Sequence, residues 1–226
     1  SVLCTRYSHM ANEIRSLFIP GPAGRLEALL NAGSNAATHA ALVCHPHPMF
    51  GGTLHNKVVF NAMKALNGCG FPVLRFNFRG AGLSEGQHDD GRGEVEDARA
   101  ALEWLDGEFH RPIVFAGFSF GAGVGLRAAC PDACVAAMIA LGLPIAAAGR
   151  EYDYAFLGHC AKPKLFISGT QDEFCPRAEL ERVAANAAEP KEVVFIEGAD
   201  HFFEGRVAEV QAKIAEWVRK TFVIDH

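Results

Sequence analysis

Three residues, each placed where an apolar run stops, have the types needed for nucleophilic catalysis. Ser119 lies in "GFSFG", residues 117–121, directly after "PIVFA" and directly before the helix-like "AGVGLRAAC". A small-x-Ser-x-small run at a strand-to-helix turn is a nucleophile elbow. The turn is so tight that the serine is held in a strained conformation. A side chain at residue 117 or 121 would strike neighbouring elements. Such a turn lifts the Ser119 hydroxyl above a sheet at the N-terminus of a helix, and aims the N–H of Phe120 at an oxyanion.

A serine hydroxyl needs a base, and the base needs an acid to orient it. The histidines after residue 119 are His159, His201 and His226. His159 precedes the best acid, and His226 ends the sequence. His201 in "GADHFF" therefore takes the role of base. Asp172 in "GTQDEF" and Asp200 are the acids that follow apolar runs. Asp200 is the chain neighbour of His201 and is badly placed to grip its far nitrogen. Asp172 is therefore the orienting acid, with Glu173 as the alternative.

The loop "HPHPMFGG", residues 45–52, follows another apolar run. Pro46 and Pro48 have no N–H. A second oxyanion donor must then be His47, Met49, Phe50 or a later residue, and His47 is preferred. His45 and His47 could share a face as metal ligands, but no third ligand is evident and no metal is expected. Arg79 in "FNFRGAGLSEG" reads as a structural clamp, since one arginine without a Lys or Ser/Thr partner makes a poor phosphate cradle. Met49, Phe50, Phe118 and Phe202 flank these segments and are expected to bind substrate in a crowded apolar pocket.

The elements that must position these residues alternate. "EIRSLFIP" and "GRLEALLN" flank a Gly-Pro turn as an antiparallel pair. Six nearly continuous apolar runs follow: "HAALVCHP", "FPVLRFNFRG", "RPIVFAGFS", "VAAMIALGLP", "KPKLFISGT" and "KEVVFIEGA". They read as strands covered on both faces. Helical spacing links Val58, Ala62 and Leu66; Val95, Ala98, Leu102 and Leu105; Leu180, Val183 and Ala187 behind Pro176; and Val207, Val210, Ile214 and Trp217. This predicts an α/β fold with a mostly parallel sheet of about eight strands and helices on both faces. Sites in such sheets lie beyond the C-terminal strand ends, where the candidate residues fall.

The 226 residues suit a single domain, expected over 13–226. Residues 1–12 read as an N-terminal extension, with Met10 as the natural start and "Ser-His" before it as a cloning remnant. A net charge of −5 without a basic cluster speaks against nucleic acid. No apolar run approaches the roughly 18 residues of a membrane span, and residues 1–16 lack the apolar core of a signal peptide. The seven cysteines are odd in number and partly inside apolar runs. They read as free buried thiols in a reducing cytoplasm. "CPDAC" lacks zinc-site spacing.

Taken together, the sequence resembles the α/β-hydrolase superfamily from about residue 13 onward. It is most similar to a small bacterial branch of predicted hydrolases, related to the dienelactone-hydrolase-like and serine-aminopeptidase-like groups. Five blocks carry the resemblance: residues 44–48 with Gly51, Gly52, Asn56 and Lys57; 77–86; 117–122; 169–176; and 198–203. The resemblance implies the Ser119–Asp172–His201 triad and no cofactor. Dienelactone hydrolases proper attack with Cys, whereas this chain has Ser119. Haloalkane dehalogenases and epoxide hydrolases of this fold attack with Asp. Larger lipases carry a cap where this chain has only residues 145–161. Tyr152, Tyr154 and Phe156 in that stretch form either a small flap or part of the packed surface. The expected activity is hydrolysis of small carboxylic esters by a monomer or homodimer. Thioester or amide hydrolysis is the nearest alternative, and a non-catalytic ligand-binding homologue is the alternative from another class.

Overall fold

The computed structural model describes residues 13–147 and 150–224. The expected extension, residues 1–12, lies outside the described residues. An opening hairpin, β1 (Ile14–Gly21) and β2 (Gly24–Asn31), pairs antiparallel. The chain continues through β3 (Ala40–Cys44), α1 (Lys57–Gly68), β4 (Val73–Phe76), α2 (Arg92–Phe109) and β5 (Ile113–Phe118). Then come α3 (Phe120–Ala129), β6 (Val135–Leu141), a two-residue pair β7 (Ala146–Ala147) and β8 (Arg150–Glu151), and β9 (Lys164–Gly169). The chain ends with α4 (Arg177–Asn186), β10 (Lys191–Ile196) and α5 (Val207–Phe222).

Eight strands form one sheet in the order β1-β2-β4-β3-β5-β6-β9-β10. Strands β4, β3, β5, β6, β9 and β10 are parallel, and β2 joins β4 antiparallel. The continuous apolar runs have their physical cause here, since β3, β4 and β5 are buried along their whole length. The core forms two layers, one on each sheet face. One combines residues of α1 and α5, including Val59, Leu66, Ile214 and Trp217. The other combines residues of α2, α3 and α4, including Leu102, Leu105, Val124 and Leu180. The β7–β8 pair has no counterpart in the strand pattern of the sequence. Two-residue strands carry no periodicity to read.

Arg79 is the clamp that its sequence context suggests. Its Nη2 and Nε donate to the Asp97 carboxylate at 2.7 and 3.0 Å, and its backbone N–H donates to the same group at 3.0 Å. Asp97 is fully buried on α2. The pair therefore ties the loop after β4 to the helix layer. Asp97→Ala would leave a largely buried guanidinium and a buried N–H without their partner. It is expected to cost about 3–5 kcal/mol in urea unfolding at pH 7. A loss below about 1 kcal/mol would mean that the loop is held by other contacts.

Candidate active site

Ser119 sits between β5 and α3 with φ 53° and ψ −123°, a conformation that side-chain-bearing residues rarely adopt. Its N–H bonds to Leu141 O at 2.9 Å, which pins the strained turn to the end of β6. The flanking glycines are dictated by space. A Cβ on Gly117 would lie 2.7 Å from Ala122 N, inside the turn itself, and one on Gly121 would lie 2.7 Å from Cys44 O at the end of β3. Helix α3 starts at Phe120, whose N–H belongs to the first turn and so has no intrahelical acceptor.

Ser119 Oγ is 2.8 Å from His201 Nε2. His201 follows β10, and its Nδ1 is 2.9 Å from each carboxylate oxygen of Asp172. Asp172 follows β9, the parallel neighbour of β10, so the two loops stand side by side. The carboxylate is buried and held by three other donors. Phe174 N and Cys175 N donate to Oδ1 at 2.9 and 3.0 Å, and Ser168 Oγ donates to Oδ2 at 3.1 Å. Glu173 is exposed. Asp200 accepts from Glu204 N at 2.9 Å within its own turn. The imidazole is wedged edge-on between rings, with the Phe174 centroid 4.7 Å and the Phe202 centroid 5.2 Å away. A serine hydroxyl, an imidazole and a buried carboxylate in this chain can pass a proton from Oγ to Nε2 while the carboxylate stabilises the imidazolium.

The first loop follows β3, the neighbour of β5. Met49 N–H donates to the His47 ring at 3.2 Å, Phe50 and Gly52 N–H donate to His47 O at 3.1 and 3.0 Å, and Gly51 N–H donates to Pro48 O at 3.1 Å. The later amides are therefore spent inside the loop. His45 is buried and engaged at both nitrogens: Nδ1 donates to Pro46 O at 2.6 Å, and Nε2 accepts from Phe78 N–H at 2.9 Å. That pattern fixes a neutral tautomer that bolts the loop to the end of β4.

Burial pushes the His45 pKa down to about 4, outweighing the Pro46 hydrogen bond, which acts upward. His45 thus stays neutral in the folded state, while an unfolded-chain histidine takes up a proton near pH 6.5. Its stabilising contribution is complete above about pH 6.5 and is lost as pH falls towards 4. Between pH 7 and 5 this amounts to about 2 kcal/mol. His45→Gln, which can retain the acceptor for Phe78, should show that much less acid sensitivity in urea unfolding. An unchanged pH dependence would contradict the neutral assignment.

A cavity of about 720 Å³ opens over Ser119 and His201, within the usual range for small-ligand sites. His47, Met49, Phe50, Phe120 and Phe202 line it. Phe118 does not, which corrects its assignment to substrate binding. It is fully buried, packed in the α1/α5 layer with its ring 5.2 Å from that of His201. Phe120 belongs to the opposite layer. The two phenylalanines around the serine thus anchor the elbow to both sides of the sheet. The pocket is also less crowded than expected, because Met49 and Phe50 are 68% and 74% exposed and stand at its rim. Of the three aromatics after β6, Tyr152 lines the cavity, whereas Tyr154 is buried with its hydroxyl donating to Pro144 O at 2.6 Å. Phe156 packs against the core beneath.

A family model described as an alpha/beta hydrolase domain matches residues 50–221. The chain belongs to the α/β-hydrolase family. Among solved structures, this α/β-hydrolase is similar to an alpha-beta serine hydrolase homologue from Coxiella burnetii, at 37% identity and a TM-score of 0.82, covering 89% of this chain and 96% of that one. It is also similar to a Xanthomonas campestris serine hydrolase described as without lid, at 31% identity and a TM-score of 0.80, over 92% and 94% of the two chains. An uncharacterised protein of Rickettsia prowazekii is 33% identical over 209 residues, 89% of this chain and 87% of that protein. Among the described residues, no helix of this α/β-hydrolase is long and apolar enough to cross a membrane.

Several lining residues were given no substrate-binding role from the sequence: Asn56, His88, Asp90 and Phe174. Phe174 had a usable signal, as it lies two residues after Asp172 on the same strand-end loop. His88 and Asp90 had none, because they reach the pocket from the loop before α2.

Proposed function

We propose that this α/β-hydrolase is a serine carboxylesterase that cleaves small carboxylic esters through an acyl-enzyme on Ser119. The observation that carries this reading is the hydrogen-bonded chain Ser119 Oγ–His201 Nε2–Nδ1–Asp172. His201 removes the Ser119 proton as Oγ attacks the ester carbonyl. Phe120 N–H and His47 N–H receive the developing oxyanion, worth about 10²- to 10³-fold in rate per donor. Protonated His201 then passes its proton to the leaving alkoxide, and a water activated by the same imidazole releases the acid. Free buried thiols such as Cys44 and Cys175 are in keeping with a reducing cytoplasm.

A panel of p-nitrophenyl esters and acyl-thioesters, run with wild type and Ser119→Ala, tests the reading. Turnover of short esters that disappears in the variant is expected. Equal hydrolysis by both proteins would exclude Ser119 from the chemistry.

The loop donor is tested through its backbone. His47 has φ −55°, which proline adopts without strain, so His47→Pro removes the N–H, and with it the ring that accepts from Met49 N–H. It should lower kcat about 10²- to 10³-fold. His47→Ala is not a clean control, because the ring accepts from Met49 N–H. His47→Asn keeps both the N–H and an acceptor, and should retain most activity. Equal losses in the Pro and Asn variants would assign the effect to the imidazole.

A further inference from the structure

The pocket has one polar flank that the esterase chemistry does not use. His88 lines the cavity although its side chain is only 14% exposed. Its Nδ1 lies 2.7 Å from Glu94 Oε1, off the line along which the ring N–H points, so the contact is a close pairing short of an aligned hydrogen bond. Glu94 is fully buried at the start of α2, and its carboxylate is fixed by Asp89 N–H at 2.9 Å and Gly91 N–H at 2.8 Å. The His88 ring packs 4.8 Å from His47 and 5.7 Å from Phe120, the two residues whose amides are proposed to hold the oxyanion. Its Nε2 lies 3.8 Å from Asp90 Oδ1 on the cavity wall. A second imidazole–carboxylate pair therefore borders the same cavity as His201–Asp172.

We propose that His88, backed by Glu94, is a substrate-binding residue that receives a hydroxyl group carried on a part of the substrate distant from the scissile bond. Most of the remaining wall, including Met49, Phe50, Phe174 and Phe202, is apolar, and Asn56 and Tyr152 add polar groups elsewhere on it. An apolar group pressed against His88 would strip its ring nitrogen of water without replacement, which costs affinity. A carboxylate would face the charges of Asp90 and Glu94. A hydroxyl both donates and accepts, so it suits the imidazole in either protonation state. Beyond Asp90 and Tyr152, a second cleft of about 450 Å³ begins, bordered by Arg92, Glu96 and Arg127. Surroundings thus pass from apolar near Ser119 to charged beyond His88. The substrate class that fits is an ester with an aromatic or short aliphatic body and a hydroxyl at its far end. This rests on the esterase reading for where the ester sits.

The test uses ketones, which cannot be hydrolysed. Binding of 4-phenylbutan-2-one and of its meta- and para-hydroxyphenyl counterparts is measured by calorimetry with wild type, His88→Leu and His88→Gln. At least one hydroxylated ketone should bind wild type about fivefold or more tightly than the parent, as one satisfied hydrogen bond implies. The preference should vanish or reverse in His88→Leu and survive in part in His88→Gln, which keeps a donor and an acceptor. Equal binding of the three ketones to wild type, no binding of any, or a preference intact in His88→Leu would overturn the proposal. If His88→Leu does not fold, the loss of half or more of the preference in His88→Gln decides in its favour, and an undiminished preference decides against it. Turnover of p-nitrophenyl esters on the same preparations judges the esterase reading separately. A hydroxyl preference without ester turnover sinks that reading alone, and turnover without a preference sinks the His88 assignment alone.

Discussion

Ser119→Ala lowers kcat on short esters by about 10⁵- to 10⁶-fold, and His201→Ala does the same, because nucleophile and base act as one unit. The double variant is no slower than either single one. The geometry supplies the reason. Ser119 Oγ and His201 Nε2 are 2.8 Å apart, so the oxygen is a competent nucleophile only while that nitrogen can take its proton. Once either partner is gone, the remaining one has nothing to act on. Residual rate then comes from binding and from the oxyanion donors, which neither change touches. Steady-state kinetics on the three variants, with folding checked by circular dichroism, reads this directly. Losses that add in the double variant would mean that the two residues serve separate steps.

The second large effect belongs to Asp172→Asn, expected to lower kcat about 10⁴-fold at pH 7 with the fold intact. The local hydrogen bonds decide which way the new amide turns. Phe174 N–H and Cys175 N–H both point at Oδ1, so the amide oxygen must take that position. The amide nitrogen then replaces Oδ2, facing Ser168 Oγ and His201 Nδ1. Nδ1 also lies 2.9 Å from Oδ1, but that oxygen already accepts from two amides, so the new N–H donor at the Oδ2 position favours the tautomer with the ring proton on Nε2, where it faces Ser119 and blocks the base. Ser168→Ala removes only one supporting donor and should cost about 10- to 100-fold, less than Asp172→Asn, since a hydrogen bond to a charged group is worth roughly 1.5–3 kcal/mol. An Asp172→Asn enzyme within tenfold of wild type would show that the carboxylate is not needed to set the tautomer.

The candidate residues were legible in the sequence because each follows a mostly apolar run, even at β10, an edge strand that is only half-buried and opens on Lys191 and Glu192. Buried parallel strands announce themselves as continuous runs, and the residue after the run is where chemistry can sit. Ser119, Asp172 and His201 come from such positions after β5, β9 and β10. Arg79 was legible for a different reason, as a lone cation in a glycine-rich loop with no company for a phosphate. Phe118 was misplaced because proximity in the chain to Ser119 says nothing of which sheet face a side chain takes. The pleat sends Phe118 into the α1/α5 layer and Phe120 into the other. The room in the pocket was hidden too, since the exposure of Met49 and Phe50 depends on the short turn at residues 48–50. His88, Glu94 and Asp90 lie on an irregular loop and a helix start, where no period marks a lining residue. Their placement depends on tertiary ties such as Arg79–Asp97.

Everything proposed for this site depends on Ser119 being a nucleophile activated by His201. Labelling with a fluorophosphonate, followed by peptide mass mapping, tests it most directly, because the reagent needs an activated serine and no knowledge of the natural substrate. Stoichiometric modification of Ser119 is predicted in wild type, with the labelling rate reduced at least about 10³-fold in His201→Ala, as expected when the base that activates a serine is lost. Absence of label, label on another residue, or an unchanged rate in His201→Ala would contradict the account.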